Sequence, residues 1–248
     1  MPHIYTADFQ GNPSVGLFAY ATDQYCLVGA SVPEKNVEEI KDALGVPVHR
    51  MTIAGTSLLG VFCAGNANML LIPSIAFDHE KEELQQLNIP FTVIETKLTA
   101  LGNNIVANDL AALIHPDFEP EVQQQLPTLL GTPVRAGVIE EQPTVGSCLL
   151  LTGKAGIIHK DAPDEFIDEL SEYFGVAIDV GTVNRGVPQV HSGIIANSNG
   201  LIVGSLSAGV QVTNADPVMG FLGVPLGRRE HGEIHPVQAD RRADQGAL

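Results

Sequence analysis

Three motifs have residue types that enzymes and metal sites use, but each lacks a required residue. Gly153-Lys154-Ala155 lacks the earlier Gly and the final Ser or Thr of a phosphate-binding loop, which indicates a lysine in a turn. Ser205-Leu206-Ser207-Ala208-Gly209 begins with Ser where a hydrolase nucleophile elbow needs Gly. His231 and His235 have metal-like spacing without a carboxylate or thiolate set that would complete a site. We therefore predict no catalytic residue, metal site or cofactor.

The cysteines give no sign of thiol chemistry. Cys26, Cys63 and Cys148 are odd in number and have no Cys-x-x-Cys spacing, which argues against a disulfide framework and a zinc site. We expect all three to be reduced and mostly buried.

The elements that position these residues follow an internal repeat. Gly16, Gly60, Gly102, Gly146 and Gly193 are separated by 44, 42, 44 and 47 residues. Turns rich in residues that tolerate positive φ keep the same step. These turns are Asp23-Gln24, Gly65-Asn66-Ala67-Asn68, Asn108-Asp109, Gly153-Lys154-Ala155-Gly156 and Asn197-Ser198-Asn199-Gly200. Each repeat, called units one to five in chain order, therefore opens with a hairpin.

After the hairpin, four units have an acidic helix and a second short strand. Val37, Ile40 and Leu44 show the 3.6-residue apolar period in the first helix. The residues that suit the left-handed helix end are Gly45, Asn88, Gly131 and Gly175. The short strands are Val46–Val48, Ile89–Phe91, Thr132–Val134 and Val176–Ile178.

The fifth unit, from Ser192 to about Gly223, has its hairpin but lacks the acidic helix. We predict that a strand at about Ile4 to Phe9 completes it, because ring closure removes free sheet edges. The predicted fold class is α/β, a closed ring of five ββαβ-like repeats with pseudo-fivefold symmetry over residues 1–223. An open solenoid is the alternative, but neither end resembles the polar cap it needs. We expect residues 224–248 to be a flexible tail.

The charge balance excludes partners more clearly than it identifies them. The chain has 29 acidic and 13 basic side chains and a net charge of −16, which repels phosphate backbones and attracts basic surfaces. An acidic surface that serves solubility alone is the alternative. No apolar run reaches membrane-spanning length, and the first residues lack a signal peptide pattern. We expect a soluble, cytoplasmic monomer without a membrane partner.

The ring architecture raises one enzyme hypothesis. A closed ring of this type resembles the pentein superfamily, whose guanidino-modifying enzymes use a late Cys nucleophile with a His and acids around a central pocket. This sequence has no cysteine after Cys148. A guanidino-modifying enzyme is therefore the disfavoured alternative, and a plain scaffold protein is a third.

Several stretches combine Asn, Gly and Pro at fixed spacing. They are Tyr25-Cys26-Leu27-Val28-Gly29, Gly65-Asn66 with Leu70-Leu71-Ile72-Pro73, LTALGNNIVANDLAALIHP at 98–116, and Gly181-Thr182-Val183-Asn184-Arg185-Gly186. Together, in order and in register over about residues 3–223, they resemble the translation initiation factor 6 family of archaea and eukaryotes. The single acidic domain, which has no eukaryotic appendages, resembles the archaeal type.

The resemblance implies a non-enzymatic protein that binds the joining face of the large ribosomal subunit and sterically blocks association with the small subunit, in translation and ribosome biogenesis. It implies contacts mainly with basic proteins near the sarcin-ricin loop, little direct rRNA contact and no cofactor. The ribosome-binding residues it implies, where successive units join, are Leu58, Val61, Asn66, Asn103, Asn104, Asn108, Ser147, Asn184, Arg185, His191 and Ser192. A simple turn role stays the alternative, above all for Asn66 and Asn108.

Overall fold

Five small three-stranded sheets form the body of the protein. The computed structural model describes residues 3–221, so the predicted boundary at 223 and the tail at 224–248 lie outside the described residues. The strands are β1 (Ile4–Ala7), β2 (Ala19–Ala21), β3 (Cys26–Gly29), β4 (Val48–Met51), β5 (Ala64–Gly65), β6 (Leu70–Pro73), β7 (Phe91–Ile94), β8 (Ile105–Ala107), β9 (Ala112–Ile114), β10 (Val134–Ala136), β11 (Leu149–Leu151), β12 (Ala155–His159), β13 (Ala177–Gly181), β14 (Ile194–Ala196) and β15 (Leu201–Gly204).

Long helices follow the hairpins, and short helices precede them. The helices are α1 (Glu34–Leu44), α2 (Leu59–Phe62), α3 (Asp78–Gln86), α4 (Leu101–Asn104), α5 (Pro120–Leu130), α6 (Val145–Cys148), α7 (Asp164–Phe174) and α8 (Gly209–Val218), with 3-10 turns at Val15–Phe18 and Val190–Gly193. The fifth unit lacks an acidic helix, as predicted, but it has a helix of another composition, α8, which the sequence analysis did not identify. Its sequence contains a single acidic residue, so it lacks the charged face that signals the other helices.

The strand order confirms the predicted closed ring. In each unit the hairpin is antiparallel, and a third strand pairs in parallel with the second hairpin strand. In unit five this third strand is β1, where Ile4 pairs with Leu201 and Ala7 with Gly204. The fold is therefore the pentein-type ring of five repeats.

Each long helix ends as predicted and joins two units. Gly45, Asn88, Gly131 and Gly175 all have left-handed φ values. Helix α1 packs on its own sheet and on that of unit five, since Ile40 lies in one apolar cluster with Cys26, Ile195 and Ile202. The other long helices share clusters with the preceding unit in the same way. Every interface between units is therefore part of the core.

The short helices contact one another around the ring axis. Their second residues are Gly16, Gly60, Gly102, Gly146 and His191. An added Cβ on Gly60 would overlap the carbonyl oxygen of Gly16. Gly102 and Gly146 likewise lie too close to a carbonyl oxygen of the preceding unit to accept a side chain. The carbonyl of His191 confines Gly16, so His191 and not Gly193 holds the fifth position. The prediction for Gly193 was wrong because it assumed a glycine where the chain has a histidine.

Candidate functional site

We call one end of the ring axis the short-helix end. The residues that follow Gly16, Gly60, Gly102, Gly146 and His191 lie there. These residues are Leu17, Val61, Asn103, Ser147 and Ser192, all half-buried. A cavity of about 220 Å³ there is lined by Gly16, Leu17, Gly60, Asn103, Ser147, Gln189, His191 and Ser192. The structure thus brings four of the predicted residues together. Sequence reasoning missed Leu17, although its place directly after Gly16 was a usable signal.

Leu58 and Val61 belong to the same end. Leu58 precedes α2, and its amide donates to Thr56 Oγ1 at 3.2 Å. Its carbonyl accepts the amide of Val61 at 3.0 Å. Val61 stands one residue after Gly60, as Asn103 does after Gly102, so both side chains belong to one face.

The turn before the last short helix holds Asn184 and Arg185 in left-handed conformations. Asn184 is buried, and its Nδ2 donates to the carbonyl of Pro13 at 2.9 Å, which ties unit five to unit one. Its Oδ1 has no hydrogen-bond partner within residues 3–221. The side chain of Arg185 is exposed. Of this predicted pair, Arg185 is therefore the one available to a partner.

The other end of the axis, the hairpin end, consists of the hairpin turns. Asn66 Nδ2 donates to the carbonyl of Leu130 at 2.9 Å, and Asn108 Nδ2 donates to that of Phe174 at 2.8 Å. Each amide therefore binds a free carbonyl at the helix end of the next unit. Asn197, which sequence reasoning did not select, binds the carbonyl of Leu44 in the same way.

The predicted residues consequently fall into three groups. Asn66 and Asn108 lie at the hairpin end, where His191 is the only other candidate that lines the same cavity within the described residues. Asn104 and Asn184 are buried, and Asn104 Nδ2 donates to the carbonyl of Ala100 at 3.0 Å. The remaining candidates are exposed or half-buried, and they are Leu58, Val61, Asn103, Ser147, Arg185, His191 and Ser192. Of these, Asn103, Ser147, His191 and Ser192 line the cavity at the short-helix end.

His191 lines the cavities at both ends of the axis. Its Nδ1 lies 2.7 Å from the carbonyl oxygen of Gly146, and because a carbonyl only accepts, Nδ1 carries the proton. Burial lowers the pKa of His191 and outweighs the opposing effect of this hydrogen bond. The imidazole is therefore neutral at pH 7.

The cavity at the hairpin end has a volume of about 130 Å³ and is lined by hairpins of all five units. Burial raises the pKa of the Cys63 thiol, and it does the same for the Tyr20 phenol. Cys26 and Cys148 are also buried and free, and burial raises the pKa of Cys148 to about 11. A nucleophilic thiol needs a lowered pKa, so these cysteines are unreactive at neutral pH.

Much of the acidic charge lies on the long helices α1, α3 and α7. Helix α7 contains Asp164, Glu165, Asp168, Glu169 and Glu172, and Glu169 pairs with Arg135. By contrast, the residues around the short-helix cavity carry no formal charge at pH 7. No three His, Cys, Asp or Glu side chains in residues 3–221 are grouped as metal ligands would be, and His231 and His235 lie outside that range. No helix in that range is long and apolar enough to cross a bilayer.

Comparison with solved structures shows only a weak likeness. The N-terminal domain of ArgZ, an arginine dihydrolase from the Ornithine-Ammonia Cycle in Cyanobacteria, is 11% identical with a TM-score of 0.45, covering 79% of this chain and 74% of that chain. A dimethylarginine dimethylaminohydrolase is 15% identical with a TM-score of 0.43, covering 68% and 69%. A likeness at this level carries no inference about activity.

Comparison of sequences gives a much stronger match. Translation initiation factor 6 of Thermococcus onnurineus is 38% identical, covering 89% of this chain and 99% of that protein. The Haloquadratum walsbyi protein of the same name is 32% identical over 87% and 96%. Eukaryotic translation initiation factor 6 of Toxoplasma gondii is 38% identical over 77% and 74%. The model of the eIF-6 family matches residues 4–216, nearly the whole described ring, and the chain therefore belongs to the eIF-6 family.

Proposed function

We propose that this protein binds the large ribosomal subunit and sterically prevents its association with the small subunit. The supporting observation is membership of the eIF-6 family, whose curated relatives match the chain along almost their full length and are named as translation initiation factors. In this proposal the protein is a cytoplasmic, monomeric translation and ribosome-biogenesis factor with no enzymatic activity.

The short-helix end is the proposed docking face. Val61, Asn103, Ser147 and Ser192 give it an uncharged centre, which is inexpensive to desolvate in an interface. Acidic long helices surround the ring, so the electrostatic potential favours basic large-subunit proteins, as near the sarcin-ricin loop, and disfavours extended rRNA contact.

A rigid ring is suited to a steric mechanism. Each long helix packs on two sheets, so units cannot separate without opening a buried core. A bound rigid body excludes the small subunit by its volume, and the block needs no cofactor.

The test measures sedimentation with purified large subunits and their joining to small subunits. Val61→Glu and Asn103→Asp should each weaken binding tenfold or more, because a loss of about 1.4 kcal/mol suffices and the new carboxylate must be desolvated at the centre of the interface. Glu38→Gln, on the exposed face of α1, is the matched control and should bind like the unmodified protein. Unchanged subunit joining at saturating protein would show that the proposed function is wrong.

A further inference from the structure

Unit two exposes two large apolar side chains on the loop between β6 and α3. Ile75 is 46% exposed and Phe77 is 52% exposed, although each could have been placed in the core. Phe77 precedes the first residue of α3, and the residues at this position in the other units are Pro33, Glu119, Pro163 and Ala208. Unit two therefore places an aromatic ring on the surface where its counterparts do not.

The Phe77 ring rests on a defined backbone surface. It lies so close to Gly55 that an added Cβ there would come within 2.8 Å of Phe77 Cε2. On its other side it stacks with His79 at a centroid distance of 5.7 Å and an interplanar angle of 26°. Such packing limits ring motion, and a pre-ordered aromatic ring loses little entropy on binding.

A buried carboxylate holds this arrangement from below. Glu80 is fully buried and accepts hydrogen bonds from Thr52 Oγ1 at 2.6 Å, the amides of Ala54 and Phe77 at 2.8 Å and the amide of Gly55 at 2.9 Å. Burial alone would raise the pKa of Glu80, but the four hydrogen bonds outweigh it and lower the pKa. One charged group thus fixes both the Phe77 loop and the turn beneath it.

The exposed patch is continuous with the proposed docking face. The turn under Phe77 leads through Thr56 to Leu58, and the amide of Leu58 donates to Thr56 Oγ1. Helix α2 then begins and presents Val61. A surface path along this segment therefore joins Phe77 at the rim to the centre of the short-helix end.

The charges around the patch are mainly acidic. Asp78 is exposed beside Phe77 and holds Lys81 at 3.2 Å, while Glu82 is exposed one turn later. Glu95 lies near Ile75, because the amide of Ser74 donates to the carbonyl of Ile94. An apolar surface with this surrounding potential favours a basic protein segment that carries an apolar side chain, and it disfavours a nucleic acid.

We propose that Ile75 and Phe77 are the outer anchor of the docking face and contact an apolar side chain of a basic large-subunit protein. This inference rests on the proposed function and adds to it the second contact point and the chemistry of its partner. Aromatic residues, Phe included, are enriched in protein interfaces relative to the rest of the surface.

The test compares binding of labelled protein to purified large subunits. The double variant Ile75→Ser, Phe77→Ser should bind tenfold or more weakly than the unmodified protein. The matched controls are Leu206→Ser, 41% exposed at the place of Ile75 in unit five, and Leu110→Ser, 59% exposed at the hairpin end. Both controls should bind normally, and thermal melting should show that all variants keep the folded ring.

Phe77→Leu separates an apolar protein contact from a stacked nucleotide base. Leucine keeps the apolar contact and loses the aromatic face, so Phe77→Leu should keep most of the affinity. If it binds as weakly as the double variant, the contact depends on the aromatic face and not on an apolar contact, and the inference is wrong. Normal binding by the double variant would also contradict the inference while leaving the proposed function intact. If the unmodified protein fails to bind large subunits, both proposals are wrong.

Discussion

The two ends of the ring axis use asparagine in opposite ways. At the hairpin end, Asn108 donates to the carbonyl of Phe174 and accepts the amides of Leu110 and Ala111 at 3.0 and 2.9 Å. At the short-helix end, the Asn103 side chain forms no hydrogen bond within the described residues, and it lines an open cavity. The same residue type therefore stabilises the ring at one end and stays available to a partner at the other.

This difference follows from the geometry of the ring. The hairpin turns of units two, three and five lie beside the last carbonyls of the next long helix, which have no partner inside that helix. An Asn amide there satisfies a carbonyl that would otherwise be buried without one. The short helices instead contact their neighbours through backbone atoms at Gly16, Gly60, Gly102 and Gly146, so the Asn103 side chain is not needed for the contact between units.

The largest expected effect is a difference in the free energy of unfolding between a substitution at the hairpin end and one at the short-helix end. Asn108→Leu should lower the free energy of unfolding by about 2 kcal/mol, because it leaves the buried Phe174 carbonyl and the buried Ala111 amide unpaired at about 1 kcal/mol each. Asn103→Leu should change it by less than about 0.5 kcal/mol, as is usual for surface positions. Denaturant unfolding of both variants measures the contrast, and equal losses would contradict it.

The next expected effect tests the structural role of the Glu80 carboxylate. Glu80→Gln should cost about 2 kcal/mol, because the new NH₂ group faces backbone donors and a charged acceptor is lost. The pKa of Glu80 is lowered in the folded state, so its contribution is present above the ordinary value of about 4.5 and is lost as the pH falls through the folded pKa. Melting temperatures from pH 7 to pH 3 should therefore fall less steeply in the variant, and parallel curves would be inconsistent with this role.

The smallest expected effect concerns His191, between the two ends. A buried neutral histidine with a lowered pKa contributes stability that is present above pH 6.5 and is lost as the pH falls below that value. His191→Gly, which gives unit five the glycine of the other units, should remove this part of the pH dependence. Melting temperatures at pH 7.5 and pH 5.5 test this, and an unchanged difference between them would show that another group is responsible.

Much of the fold could be predicted from local sequence. The hairpin turns, the left-handed residues such as Asn88 and the parallel closing strand all followed from patterns repeated at a near-constant step. Two errors share one cause, which is that a repeat can change residue type while its backbone is kept. His191 stands where a glycine was expected. Helix α8 lacks the acidic face from which the other long helices were predicted.

The candidate site was less predictable because spacing does not reveal which partner a side chain finds. Asn66 and Asn103 have similar sequence surroundings, yet only Asn66 lies beside a free helix-end carbonyl. The sequence analysis did not select Phe77, whose loop is held by hydrogen bonds between Glu80 and a turn 25 residues earlier.

The sequence by itself determined the five-unit ring and the acidic surface, because turn residues, apolar periodicity and charge act locally and are repeated. Only the tertiary structure decided which asparagines are used within the ring and which surface residues remain free. That choice depends on contacts between units that are 40 or more residues apart, such as the Asn66 to Leu130 hydrogen bond across 64 residues.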